Sequence, residues 1–145
     1  MIIENRNDWI NGNILVADDD LFYRRLLANF LIGERFTVTT VQSSDEAMER
    51  LLRERFDLCV FDYNLPGVAL ETVVKRLNRS VQHIPFIIIT GDESCETERE
   101  ARSLGPVFFF VKPFSLGDFA SVIREGIRGA AQVVGTHSGW STQHE

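Results

Sequence analysis

Cysteine is scarce in this chain: Cys59 and Cys95 are the two it has among 145 residues. Two thiols exclude a disulfide framework, and Cys59 lies inside an apolar run, where it acts as a small hydrophobe. Long hydrophobic stretches are lacking as well. A run such as Val107–Val111 falls far short of the roughly 18–20 residues that cross a bilayer, so no membrane contact is expected. The opening Met1-Ile2-Ile3-Glu4-Asn5-Arg6-Asn7-Asp8 turns polar by its fourth residue and carries no leader-like apolar region. A reducing, cytoplasmic setting is the expectation. Positive charge is not in excess either, since 15 basic against 21 acidic residues leave the chain at −6. That balance argues against direct nucleic-acid binding through phosphate neutralisation.

What is present is a rhythm. With 145 residues, 44% of them hydrophobic, the chain can bury one sizeable core and not two. Short apolar runs recur at Ile14–Ala17, Phe36–Val41, Leu58–Phe61, Phe86–Ile89 and Val107–Val111. All but the second are continuously apolar, as parallel strands covered on both faces must be, whereas Phe36–Val41 alternates and reads as an edge strand. Helical stripes fall between them. They are Leu26, Leu27, Phe30 and Leu31, then Ala47, Met48, Leu51 and Leu52, then Leu70, Val73, Val74 and Leu77. Leu116, Phe119, Ala120, Ile123 and Ile127 close the series. Ser43 with Glu46 and Ser115 with Asp118 have the form of capping boxes, and Asp20 reads as a helix cap. The segment Cys95–Leu104 offers only Ala101 and Leu104 for burial, so this helix should be the most loosely held.

Alternating β and α units predict an α/β fold, a doubly wound five-stranded parallel sheet with helices on both faces. The expected organisation is a polar extension over 1–12, a domain over 13–128 and a tail or linker over 129–145. Trp140 in that tail is either a partner contact or part of a disordered stretch. His83, His137 and His144 show no ligand spacing and read as surface residues. Arg24-Arg25 and the Glu-rich stretch 93–100 read as solvated helix faces, and Phe108-Phe109-Phe110 reads mainly as core.

The strand ends carry the chemistry. Ile14–Ala17 runs into Asp18-Asp19-Asp20, Leu58–Phe61 ends in Asp62, Phe86–Ile89 ends in Thr90, and Phe108–Val111 ends in Lys112. An open parallel sheet gathers all these ends along one edge, where such folds bind ligands. Three carboxylates, from Asp18, Asp19 and Asp62, against the Lys112 ammonium leave the crevice at −2. At least one carboxyl should therefore titrate high unless a cation enters. Hard oxygen donors suit Mg²⁺, and Mg²⁺ with Lys112 would neutralise phosphoryl oxygens. Asp62, alone at the sheet centre, is the best nucleophile, and Thr90 offers a hydroxyl to an incoming phosphoryl oxygen.

These residues carry a resemblance. Ile14–Asp20, Val60-Phe61-Asp62-Tyr63-Asn64-Leu65-Pro66-Gly67, Ile88-Ile89-Thr90-Gly91 and Val111-Lys112-Pro113-Phe114, in that order, resemble the response-regulator receiver domain of two-component signalling. The match covers about 13–128. It implies a chemotaxis-receiver-like, flavodoxin-like strand order 2-1-3-4-5. It also implies that Asp62 accepts a phosphoryl group from a sensor histidine kinase or a histidine phosphotransfer protein. Asp19, Asp62 and the backbone carbonyl of Asn64 would bind Mg²⁺, with Asp18 supporting through water. Thr90 and Lys112 would hold the phosphoryl oxygens, and the Lys112–Pro113 bond would be cis.

Thr90 and Phe109 would form the switch that alters the face made by the Cys95–Leu104 helix, the last strand and the last helix. That face would meet a downstream output protein or domain. By the same resemblance the chain catalyses only its own phosphorylation and dephosphorylation. Phe109 departs from the tyrosine common at its position, and Ala69-Leu70 replaces a common Asp-Gly pair. Two other classes compete. A haloacid-dehalogenase-type phosphatase would use Asp18 as nucleophile and Asp20 as general acid, but it would leave Asp62 idle. A phosphorylation-independent interaction module would be free to lose the acid pair, the acceptor and the lysine.

Overall fold

The computed structural model describes residues 12–79 and 83–142, with side chains described as far as residue 130. Almost all of the polar 1–12 extension lies outside them, as do the side chains of His137 and Trp140 and all of His144. Five strands alternate with five helices in chain order: β1 (Asn13–Ala17), α1 (Leu21–Gly33), β2 (Thr37–Val41), α2 (Ser44–Arg53), β3 (Leu58–Asp62), α3 (Leu70–Arg79), β4 (Phe86–Thr90), α4 (Cys95–Ser103), β5 (Phe108–Val111) and α5 (Leu116–Thr142). All pairings are parallel and the strand order is β2-β1-β3-β4-β5. The doubly wound sheet read from the apolar rhythm is the one observed, with β2 at an edge and β3 at the centre.

Period-two alternation splits the strand side chains between two layers. Leu15, Ala17, Cys59, Phe61, Ile88 and Phe109 face Ala47, Val73, Val74, Leu77 and Ala101 of α2, α3 and α4. Ile14, Val16, Leu58, Val60, Ile87, Ile89 and Phe110 face Leu27, Leu31, Phe119 and Ile123 of α1 and α5. Burial of each large side chain contributes about 1.5–3 kcal/mol. The sheet is thus clamped from both sides, and its C-terminal edge becomes a fixed platform.

Helix starts follow the cap chemistry. Ser43 Oγ accepts from the Glu46 amide (3.1 Å), and the Glu46 carboxylate reaches one residue beyond the cap to accept from the Gln42 amide (2.7 Å). Ser115 Oγ accepts from the Asp118 amide (3.1 Å). Two stripe residues differ from the sequence reading. Leu52 is 64% exposed, because it lies about 100° around α2 from Leu51, which packs on the core. Phe108 is 44% exposed, because it opens an edge strand and is covered mainly by Phe110, 4.7 Å away between ring centroids. The backbone of α5 runs on to Thr142, through most of the stretch whose sequence shows no sustained pattern.

Candidate functional site

Three segments leave the C-terminal edge of the sheet and converge. After β1, Asp18 is held by its own amide to the Val41 carbonyl (3.1 Å) and is fully buried. Its carboxylate accepts from the Asp20 amide (2.9 Å), which folds the turn. Asp20 in turn caps α1, accepting from the amides of Phe22 (2.9 Å) and Tyr23 (3.4 Å), so its charge serves the helix. After β3, Asp62 is 7% exposed and its carboxylate accepts from the Asn64 amide (3.2 Å). After β5, the Lys112–Pro113 peptide is cis, and the Lys112 amide donates to the Thr90 carbonyl (2.7 Å).

Side chains of five strand-end residues were read as site residues, and the structure brings four of them into direct proximity. Carboxylate oxygens of Asp18, Asp19 and Asp62 all lie within 4.8 Å of one another. Lys112 Nζ donates to Asp18 Oδ2 (2.8 Å) and Asp62 Oδ2 (3.4 Å). Thr90, fully buried at the end of the neighbouring strand, accepts on Oγ1 from the Asp92 amide (3.0 Å). Asp19 is exposed and opens the cluster to solvent. Phe109 is turned inward at 6% exposure, with the Arg102 guanidinium 5.5 Å from its ring centroid.

The electrostatics express burial first and crowding of like charge second. Burial pushes the Asp62 carboxyl up from 3.8 to about 6, the nearby Asp18 carboxylate adds to the rise, and Lys112 and the Asn64 amide only partly oppose it. Burial by itself would lower Lys112, but its hydrogen bond to Asp18 and the charges of Asp62 and Asp18 outweigh that and hold the ammonium above 10.5. The donors are hard oxygens, the cluster is short of positive charge, and its most buried members need a counter-charge. That chemistry fits Mg²⁺.

Several contacts escaped the sequence reading. Arg24, read as a solvated face, donates through Nη1 to the Asp18 carbonyl (2.9 Å), one helical turn from the cap. Tyr23 presents its ring to Lys112, with Nζ 4.6 Å from the centroid. Tyr63 donates its hydroxyl to Glu100 on α4 (2.6 Å), and Thr97, buried on α4, donates to Asp92 (2.7 Å). The i, i+4 spacing of Asp20 and Arg24 was the one available signal, placing Arg24 a turn above the cap. The α4 contacts join residues with no shared periodicity.

The comparisons with known proteins decide the family. Residues 14–124 match the family described as the response regulator receiver domain. The chain belongs to it. This receiver is 35% identical over 123 residues to regulatory protein VirG of Agrobacterium tumefaciens (strain 15955), a match covering 84% of this chain and 46% of VirG. It thus spans about half the length of the curated relatives it matches. Full-length FixJ from B. japonicum superposes with a TM-score of 0.73 at 31% identity, over 82% of this chain and 59% of FixJ. The CheY-like receiver domain protein of Methanospirillum hungatei JF-1 shares the fold, with a TM-score of 0.75 at 22% identity over 85% of this chain and 98% of that one. A phosphatase site built on Asp18 and Asp20 finds no support in this receiver, because Asp18 is sealed against Lys112 and Asp20 is committed to α1. Among the described residues no helix is long and apolar enough to cross a membrane.

Proposed function

We propose that this receiver accepts a phosphoryl group on Asp62 from a sensor histidine kinase or histidine phosphotransfer protein, in a Mg²⁺-dependent step, and passes the signal to an output protein or domain in the cytoplasm. The observation that carries the reading is the juxtaposition of an acid cluster with the partly buried ammonium of Lys112 at the sheet's C-terminal edge. In the step, an Asp62 carboxylate oxygen bonds to phosphorus while the phosphorus–nitrogen bond of a phosphohistidine breaks. The electron pair leaves on the imidazole, so no oxidant or reductant is needed. Asp19, Asp62 and the Asn64 carbonyl would hold Mg²⁺, with Asp18 supporting through water, and the ion would supply charge neutralisation for the phosphoryl oxygens.

The chain's own residues do the rest. Lys112, hydrogen-bonded to Asp18 and Asp62, presents a cation where phosphoryl charge accumulates. Asp18 fixes that ammonium from a fully buried position. Thr90 exchanges its bond from the Asp92 amide for one to a phosphoryl oxygen, and Phe109 follows it. The change reaches the face formed by α4, β5 and α5, where Val107 (47% exposed) and Phe108 (44% exposed) already offer apolar area to a partner. Incubation with acetyl phosphate and Mg²⁺ tests the proposal. The expected result is one added phosphoryl mass on the intact protein, lost in Asp62→Asn and in chelator. An unmodified wild-type protein, or modification that survives Asp62→Asn, would overturn it.

A further inference from the structure

We infer that Tyr23 is a positioning residue for phosphoryl transfer, holding the Lys112 ammonium in place through the face of its ring. The inference rests on the reading of Asp62 as phosphoryl acceptor and goes beyond it. Three groups surround Lys112 Nζ: Asp18 Oδ2 at 2.8 Å, Asp62 Oδ2 at 3.4 Å and the Tyr23 ring centroid at 4.6 Å. The Lys112 side chain is 12% exposed, so the ring meets a partly desolvated cation, where cation–π attraction is stronger than at an open surface.

The ring itself is braced. The Tyr23 backbone amide is pinned by the Asp20 cap (3.4 Å), Phe22 stands nearly perpendicular to the ring (5.9 Å, 82°), and Phe114 packs against it at 5.8 Å. Phe114 is locked in turn against Phe110 (4.8 Å) and Phe119 (5.2 Å). The position of Tyr23 is thus tied to the core layer beneath α1 and α5, and Phe114 follows Lys112 by two residues on the same loop.

This matters during the reaction because the two carboxylate partners do not stay as they are. Asp62 loses its negative charge when its oxygen bonds to phosphorus, and Asp18 is drawn toward any cation entering the acid cluster. The ring face is the one of the three that the chemistry leaves unchanged. Without it the ammonium would follow the shifting carboxylates, and the phosphoryl oxygens would meet a cation spread over several side-chain conformers.

The test compares wild type with Tyr23→Phe, Tyr23→Leu and a variant carrying a trifluorinated phenylalanine at position 23. Phe keeps the ring face, Leu fills much of the space without one, and the fluorinated ring keeps the shape while its face loses negative charge. Rates of Asp62 phosphorylation by acetyl phosphate at saturating Mg²⁺ should stay near wild type for Phe. They should fall by about twofold to thirtyfold for both Leu and the fluorinated ring. The NMR shifts of the Lys112 methylene protons give a readout independent of activity. They should lie upfield in wild type and Tyr23→Phe, and return toward ordinary lysine values in Tyr23→Leu.

Equal rates for Phe and its fluorinated counterpart would overturn the inference, as would unshifted Lys112 protons in wild type. If Leu were poorly folded, the fluorinated variant alone would decide. A wild-type protein that takes no phosphoryl group would instead overturn the acceptor reading, while the proton shifts would still report whether the ring holds the lysine.

Discussion

Replacing Asp62 by Asn should stabilise the metal-free protein at neutral pH, although Asp62 is the proposed phosphoryl acceptor. The reason is the charge it brings. Burial and the Asp18 carboxylate lift its pKa from 3.8 to about 6. A folded-state value above the unfolded one means that the folded chain holds the proton longer. The stability linked to this carboxyl is therefore fully present below 3.8, falls as pH rises, and is gone above about 6. A rise of this size corresponds to about 3 kcal/mol near pH 7.5 and roughly half that near pH 5. Loss of the Lys112 contact at 3.4 Å, together with solvent reaching part of the carboxyl, trims the net gain to about 1–3 kcal/mol near pH 7.5. Urea denaturation of wild type and Asp62→Asn, both in chelator, measures the difference at the two pH values. The Asn variant should be the more stable, with the larger margin at the higher pH. A variant less stable than wild type near pH 7.5, or a margin that does not grow with pH, would refute the crowding argument.

Mg²⁺ affinity should weaken as pH falls below about 6, approaching tenfold per pH unit, because Asp62 must be ionised to act as a ligand; calorimetric titration across that range checks it, and a flat profile would count against Asp62 as a ligand. Gly67→Ala should cost about 1–3 kcal/mol in chemical denaturation. Gly67 has φ +109°, and an added Cβ would lie 2.5 Å from Ser44 Oγ and 2.8 Å from an Asp45 carboxylate oxygen. Tyr63→Phe removes the 2.6 Å bond to Glu100 and should change global stability by at most about 1 kcal/mol. Amide exchange in α4 should nevertheless quicken, and unchanged α4 protection would show that the bond does not anchor the helix.

Much of this site is legible in sequence because strand ends are. A parallel sheet sends every strand's C-terminus to one edge, so the β/α rhythm alone places Asp18, Asp62, Thr90 and Lys112 along that edge. The direction of the Asp62 shift follows from counting charges there, but its largest cause, burial, is a property of the folded packing. Contacts made by helices were harder to read, since they depend on rotation about an axis that spacing leaves loose by a residue. Arg24 turns inward to the Asp18 carbonyl while Arg25 stays exposed, and no pattern in Tyr23-Arg24-Arg25 separates them. Thr97 looked like one polar residue among many on α4, yet it is buried against Asp92. Phe108 shows the converse error, because an apolar triplet on an edge strand has core on both sides only where helices reach.

The link between α2 and the stretch after Asp62 has a wider reach than its size suggests. The Ser44 hydroxyl shares its one proton between the carbonyls of Val68 (2.5 Å) and Pro66 (3.0 Å), and the Ser44 amide donates to Pro66 as well (2.8 Å). The first turn of α2 is therefore a hinge post for the loop after Asp62, although it lends no atom to the acid cluster. Drift at Ser44 would tilt the loop and re-aim the Asn64 carbonyl without touching a single charged group. Tolerance to change in this domain should accordingly map onto what each residue suspends, and only loosely onto its distance from Asp62.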